Sequence, residues 1–196
     1  MEIIKLTFGS VARGAMARIA RVLLTGGVVA YPSDTVYGLG ALISCKKAVE
    51  KIRYIKNRSY DKPLSILVRD LNMAGRYSYI TQNARAYLPG PNTVLVIKRP
   101  LVKDWVSVGE KVGIRWPNFW FTQELMHNMV EPIITTSANL SGYPPAYSVQ
   151  ELLQQLGSRA QLIDLIVDAG VLLRRRPSAI IDLATKTILP RWLLQN

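Results

Sequence analysis

Three short segments carry side chains that could hold a small polar molecule beside a polyphosphate. The first segment is Tyr31-Pro-Ser-Asp-Thr-Val-Tyr-Gly-Leu-Gly40, in which Ser33, Asp34 and Thr35 directly follow an apolar run. Open α/β sheets usually bind their ligands just beyond the ends of buried strands. The same residue types also close ordinary turns. Taken alone, the segment suits a binding site and a structural turn equally.

The second segment is a cluster of positive charge at Lys56, Arg58 and Lys62, with Asp61 beside it. A lysine ammonium supplies a compact charge, and an arginine guanidinium supplies a planar fork that matches phosphate oxygens. A solvated basic face at a helix end is the structural alternative, because the helix dipole favours cations there. The cluster is therefore compatible with a phosphate site and with a simple helix end.

The third segment is Thr135-Thr-Ser-Ala-Asn-Leu-Ser-Gly142, whose hydroxyl groups, amide and backbone N–H groups can form an anion-binding concavity. An ordinary polar loop has the same composition.

Arg115 stands at the end of a predicted strand, before Pro117, where it suits a carboxylate clamp or a surface salt bridge.

Several signatures of other chemistries are absent from the sequence. Neither the Gly-x-x-x-x-Gly-Lys-Ser/Thr loop nor the Gly-x-Gly-x-x-Gly fingerprint occurs. His127 is the only histidine, which excludes a Ser-His-Asp triad and a histidine metal cluster, and we interpret it as structural. The single Cys45 excludes a disulfide framework and is expected to be a small buried residue. Any metal would be held by oxygens and phosphates, which is typical of Mg²⁺.

Short helices and short apolar strands alternate along the chain. The helical pattern covers residues 6–24, 46–56, 72–77, 122–129 and 149–156. Apolar strand-like runs lie at residues 28–31, 65–68, 94–97, 112–115, 132–135, 165–167 and 179–182. Gly38 and Gly40 are expected to permit a tight irregular path. The alternation predicts one α/β domain, residues 1–196, built on a mixed sheet.

Composition limits the functional class. The chain has 196 residues, 49% of them hydrophobic and 19% charged, and a net charge of +12. This charge serves solubility, or it attracts a polyanion such as ATP or RNA. The clustering of basic residues favours the polyanion, but it does not separate ATP from RNA. No apolar run approaches the roughly 18 residues of a membrane span, and we see no secretory signal, so a cytoplasmic protein is expected.

The order of the segments carries a family resemblance. The motifs Tyr-Pro-Ser-Asp-Thr-Val-Tyr-Gly-Leu-Gly, Lys-x-Arg, Lys-Pro-Leu, Pro-Gly-Pro-x-Thr, Ile-Arg-x-Pro, Thr-Ser-Ala-Asn-Leu-Ser-Gly and Pro-Ser-x-Ile-Ile-Asp occur in succession between Gly26 and Asp182. Together they closely resemble the YrdC-like threonylcarbamoyl-AMP synthases of the short, single-domain type. Ser33, where threonine is commoner, and Ala179, after Ser178, depart mildly from the family pattern.

The resemblance implies a fold and a reaction. The fold is a twisted mixed open sheet with flanking helices and a concave, positively charged cavity. The reaction converts L-threonine, bicarbonate and ATP, with Mg²⁺, into threonylcarbamoyl-AMP and pyrophosphate, which makes the protein a nucleotidyltransferase. A separate transferase complex then uses the adenylate to form t6A at position 37 of tRNA. The competing interpretation is a non-catalytic paralogue that binds double-stranded RNA, tRNA or the ribosome.

The resemblance also assigns roles to residues, which are expectations here. Lys56 and Arg58 are the catalytic candidates on the phosphate side. The residues expected to bind the amino-acid substrate are Thr35, Arg115, Ser137 and Ser178. The residues expected to contact ATP are Lys56, Arg58, Lys62, Thr135, Ser137, Asn139, Pro145 and Arg191. No protein side chain is expected to bind the metal. The C-terminus departs from the family pattern, so Arg191 is the weakest match, and the run Arg174-Arg-Arg176 has no place in it.

Overall fold

One mixed β-sheet of ten strands organises the residues that the computed structural model describes, which are 1–6, 12, 14–175 and 177–189. The strands are β1 Glu2–Lys5, β2 Val29–Tyr31, β3 Gly38–Leu42, β4 Ser65–Leu67, β5 Asn92–Ile97, β6 Lys111–Arg115, β7 Ile133–Ser137, β8 Leu165–Asp168, β9 Ala179–Asp182 and β10 Thr187–Leu189. Their order across the sheet is β1-β8-β2-β3-β7-β4-β6-β5-β9-β10. The predicted mixed, open sheet with flanking helices is confirmed.

Five α-helices lie within the same described ranges: α1 Ala15–Leu24, α2 Lys46–Lys56, α3 Leu71–Tyr77, α4 Trp120–His127 and α5 Val149–Leu156. Short 3₁₀ helices occupy Gln82–Ala86 and Gly157–Leu162. The apolar faces of the helices cover the sheet, as Ile19 and Leu23 of α1 and Ile52 of α2 are fully buried. In this part of the chain, no helix is both long and apolar enough to cross a membrane.

The register of the central strands gathers polar residues on one face of the sheet. Strand β7 is antiparallel to both of its neighbours and pairs Ser137 with Gly38 and Thr135 with Ser65. Strand β4 runs parallel to β6 and pairs Ser65 with Gly113. Because paired residues point to the same face of a sheet, these side chains share one surface with every second residue of their strands.

The prediction of an irregular path at Gly38 and Gly40 is wrong, because β3 pairs there with β2 and β7 along its whole length. The glycines have a different purpose. A Cβ atom built on Gly40 would lie 2.8 Å from the Tyr31 ring, and one built on Gly38 would lie 3.2 Å from it. The glycines therefore give the Tyr31 ring space to lie across β3.

The N-terminal helix prediction is wrong at its start. Residues 2–5 form β1, which pairs in parallel with β8, and α1 begins only at Ala15. Gly14, just before the helix, has φ +82°, a left-handed conformation in which the helix does not continue. Residues 7–11 and 13 of the predicted helix lie outside the described residues. The edge strands β1 and β10 were not predicted.

Candidate functional site

A polar cleft lies on the face of the sheet formed by six neighbouring strands, from β3 through β7, β4, β6 and β5 to β9. It contains about 770 Å³ of space, part of it open to solvent. The lining residues are Ser33, Thr35, Val36, Gly38, Arg58, Pro63, Leu64, Ser65, Thr93, Arg115, Thr135, Thr136, Ser137, Ser178 and Ile180. All three segments singled out in the sequence reach this cleft.

Gly113, on β6, allows the side chains of the two neighbouring strands, β4 and β5, to approach each other at the base of the cleft. A Cβ atom at this position would lie 2.5 Å from Ser65 Oγ and 2.9 Å from Thr93 Cγ2. Without a side chain at Gly113, both hydroxyl-bearing residues lean over β6 and line the cleft. Thr93 in turn forms a 3.2 Å hydrogen bond with the buried Ser178, which fixes the hydroxyl of Ser178 beside β5.

Tyr31 positions one of the hydroxyl groups of the cleft. Its ring crosses Gly38 and Gly40, and its phenol oxygen lies 2.6 Å from Thr135 Oγ1. Burial raises the pKa of Tyr31 to about 12, against the smaller opposing effect of the Thr135 hydrogen bond. The phenol therefore stays protonated at neutral pH and keeps the Thr135 hydroxyl oriented.

Residues 33–36 form a structural turn beside the cleft. Ser33 Oγ donates to the carbonyl of Val36 at 2.7 Å and accepts from the backbone N–H of Val36 at 3.3 Å, so it closes the turn. Thr35 lies in the same turn, is mostly buried and lines the cleft. The segment is therefore a capped turn that also presents a hydroxyl group to the cleft.

Arg115 is buried, so the surface salt bridge considered for it is wrong. Its Nη2 donates to Asp34 Oδ1 at 2.6 Å, and each side chain is 8% exposed. Burial raises the pKa of the Asp34 carboxyl, although the neighbouring Arg115 guanidinium opposes the rise. The guanidinium also lines the cleft, where its remaining N–H groups can bind a carboxylate.

Lys56 holds the third segment in shape. It is the last residue of α2 and is 1% exposed, and its Nζ donates to the carbonyl oxygen of Ser137, to the carbonyl of Asn139 at 2.8 Å and to Asn139 Oδ1 at 3.1 Å. The Asn139 amide group donates to the carbonyl of Tyr143 at 2.6 Å. Lys56 and Asn139 thus support the wall of the cleft and are not among its lining residues.

Arg58 and Lys62 take different positions. Arg58 lines the cleft and donates from Nη2 to the carbonyl of Pro63 at 2.8 Å, whereas Lys62 lies beside the cleft and outside its lining. Asp61 is exposed, and the pKa of its carboxyl is lowered, chiefly by a hydrogen bond from Ser59.

Arg53 organises the segment that carries Arg58, and sequence reasoning missed it. Its buried guanidinium donates to the carbonyls of Ser59 at 2.7 Å, Lys62 at 3.0 Å and Trp105 at 3.2 Å. Burial lowers the pKa of Arg53. Arg53 follows the buried Val49 by one helical turn on the apolar side of α2, and this spacing could have predicted that Arg53 is buried.

Pro145 lies outside the cleft lining, in a separate open pocket with Pro144, Glu151 and Arg174. The segment around it is packed, because Gln155 Nε2 donates to the carbonyl of Pro144 at 3.0 Å and Tyr37 N donates to the carbonyl of Ala146 at 3.2 Å. Arg191, the remaining predicted ATP contact, and Arg176 lie outside the described residues.

The fold and the cleft define a class of α/β proteins in which an open mixed sheet carries a cleft lined by hydroxyl and guanidinium groups. The family model Sua5_yciO_yrdC, described as "Telomere recombination", matches residues 21–191. The chain belongs to this family.

Individual relatives support the same placement. A protein of Vibrio campbellii named "Threonylcarbamoyl-AMP synthase" is 31% identical over 180 residues, covering 88% of this chain and 96% of the relative. The crystal structure of P. abyssi Sua5 complexed with L-threonine matches with a TM-score of 0.85 and 27% identity over 94% of this chain. E. coli YciO also matches with a TM-score of 0.85, at 25% identity, over 97% of this chain and 95% of its own. The chain spans 55% of the length of the Sua5 chain.

Proposed function

We propose that this protein is an L-threonylcarbamoyladenylate synthase, a nucleotidyltransferase that uses L-threonine, bicarbonate and ATP. The observation that carries the proposal is one cleft that brings together Arg115, Ser178 and Thr35 with Arg58 and the Thr135–Ser137 hydroxyls. The match to a Sua5 structure holding L-threonine and the relatives named for this activity support it.

The two groups of side chains suit the two larger substrates. Arg115 would bind the carboxylate of threonine, with Thr35 and Ser178 providing hydroxyl partners for the rest of the amino acid. Arg58 would offset the charge of the ATP phosphates, and Thr135 and Ser137 would donate hydrogen bonds to them. Lys56 and Asn139 would act mainly by holding Ser137 in position, as their hydrogen bonds indicate.

The reaction needs no side-chain nucleophile. The deprotonated amine of threonine would attack the carbon of bicarbonate, and loss of water would leave an N-carboxylate. An oxygen of this carboxylate would then attack the α-phosphate, and the bond to the β-phosphate would break, releasing pyrophosphate. Positioning of the reactants and cationic groups around the phosphates would supply the acceleration.

The donor set of the cleft fits a magnesium ion that arrives on ATP. The described lining residues offer hydroxyl groups and no carboxylate, and the described part of the chain has no cluster of three or more His, Cys, Asp or Glu side chains able to hold a metal. We therefore assign Mg²⁺ to the phosphate oxygens and to no protein side chain. When bound, it would neutralise charge on the leaving pyrophosphate.

The product would pass to a transferase that makes t6A at position 37 of tRNA. The net charge of +12 supports a further affinity for tRNA or double-stranded RNA. We also propose that the protein acts in the cytoplasm, where tRNA is modified.

The direct test is incubation of the purified protein with ATP, Mg²⁺ and labelled bicarbonate, with and without L-threonine. Threonine-dependent release of pyrophosphate, with label in the adenylate, is the expected result. Arg58→Ala should lower kcat/KM by about 100-fold. The exposed Arg85→Ala variant is the matched control and should keep full activity. Absence of product, while a characterised synthase works in the same buffer, would reject the synthase and favour the RNA-binding alternative.

A further inference from the structure

Asp34 is a carboxylate that the proposed roles leave unused. Its chain neighbours Ser33 and Thr35 both line the cleft, and its only hydrogen-bonded side-chain partner within the described residues is Arg115, which lines it too. None of the described lining residues is acidic. Asp34 is therefore the carboxylate placed directly behind the proposed amino-acid side of the cleft.

Half of this carboxylate has no hydrogen-bond partner. Arg115 contacts Oδ1, whereas Oδ2 is buried and accepts no hydrogen bond, and the side chain is 8% exposed. A buried carboxylate oxygen without a donor is costly, so such atoms usually indicate a missing partner. The pKa of Asp34 agrees, because burial raises it although Arg115 is adjacent and Arg175 also lowers it through space.

We propose that Asp34 determines specificity for amino acids: Arg115 binds the carboxylate of the substrate, and Asp34 Oδ2 accepts a hydrogen bond from its α-ammonium group. This inference rests on the proposed function. An amino acid at neutral pH is a zwitterion. Its carboxylate is complementary to the Arg115 guanidinium, and its ammonium group is complementary to the Asp34 carboxylate. The ligand reaches Oδ2 when the carboxylate turns about its Cβ–Cγ bond, a torsion with broad minima.

A purely structural Asp34 would behave differently. If it only oriented Arg115, its neutral isostere Asn would weaken every ligand that carries a carboxylate, with or without an amine. If it binds the ammonium group, Asp34→Asn keeps an acceptor for Arg115 but places an N–H donor or an uncharged oxygen opposite the ammonium. Only ligands with an amine then lose affinity.

The test is calorimetric titration of the full chain with L-threonine and with its analogue in which a hydroxyl group replaces the α-amine. The wild-type protein should prefer threonine by ~10- to 100-fold, the effect of one hydrogen bond between charged groups. Asp34→Asn should reduce this preference below ~3-fold by weakening threonine alone. Asp182→Asn is the matched control, because Asp182 is also a buried carboxylate paired with a cation, Lys111, and it lies outside the cleft lining. It should leave the preference unchanged.

Equal loss of affinity for both ligands in Asp34→Asn, or no preference for threonine in the wild-type protein, would overturn this inference. Neither result would contradict the proposed synthase function. A wild-type protein that binds neither ligand and forms no adenylate would overturn the proposed function and this inference together. If Asp34→Asn does not fold, as judged by its thermal transition, Asp34→Ser is the second variant and carries the same expectation.

Discussion

Lys56 is expected to stabilise the fold as well as to support the activity. The Lys56→Met variant distinguishes this structural role from that of a surface phosphate contact. The lysine ammonium donates to the carbonyls of Ser137 and Asn139 and to the Asn139 side chain from a position that is 1% exposed. Methionine keeps the length of the stem but removes all of these donors. The acceptors stay in place, so the variant leaves buried carbonyl groups unsatisfied.

The magnitude follows from two opposing effects. Removing a buried charge relieves a desolvation cost, which favours the variant. Each buried acceptor that loses its donor costs about 1–3 kcal/mol, and the carbonyls here cannot turn to water without breaking the paired end of β7. The second effect should prevail. We expect a loss of about 2–4 kcal/mol in the free energy of unfolding, or ~4–16 °C in Tm.

Urea unfolding followed by circular dichroism measures this difference. Lys47→Met on the exposed side of the same helix is the matched control and should stay within about 0.5 kcal/mol of wild type. Adenylate formation should fall in Lys56→Met at temperatures where it remains folded, because Ser137 loses its support. A Lys56→Met protein as stable as the Lys47→Met control would refute the argument that Lys56 supports the fold.

Two further predictions concern the sheet around the cleft. Gly113→Ala should destabilise the protein by about 1–3 kcal/mol and weaken threonine binding, since the new Cβ would lie 2.5 Å from Ser65 Oγ. Thermal melts should contrast it with Gly75→Ala, where a helical position with open space predicts a gain of about 0.5–1 kcal/mol. Asp182 has a lowered pKa, chiefly through its 2.5 Å hydrogen bond from Lys111, so its folded form binds fewer protons than its unfolded form. Its contribution to stability should be present above the unfolded pKa of about 3.9 and disappear as the pH falls through the lower folded value. The difference between wild type and Asp182→Asn in urea unfolding should shrink accordingly, and a difference that is constant down to about pH 2.5 would contradict this linkage.

Local patterns in the sequence determined most of the elements. Helix α2, Lys46–Lys56, and strand β9, Ala179–Asp182, lie at the predicted bounds, because their apolar spacing is set by residues close together in the chain. The edge strand β1 was missed, since its four residues alternate too briefly to be distinguished from a helix start. β10 was missed for the same reason, as only three residues pair with β9.

The sequence also predicted part of the cleft lining. The order of its polar segments predicted one site, and Thr35, Arg58, Arg115, Ser137 and Ser178 do line one cleft. Chemical type and family order are enough for such a list, because side chains at the ends of neighbouring strands converge whatever their detailed packing.

Only the tertiary structure decided what each residue does there. Lys56 and Arg58 are two positions apart, yet one is buried against the carbonyls of the loop after β7 and the other lines the cleft. Gly40 reads as a loop glycine until the ring of Tyr31 is seen across β3. The Arg115–Asp34 pair joins the end of β6 to the turn after β2 and could not be predicted from spacing. Burial, ion pairing and close approach depend on contacts between distant parts of the chain, and these exist only once the sheet has formed.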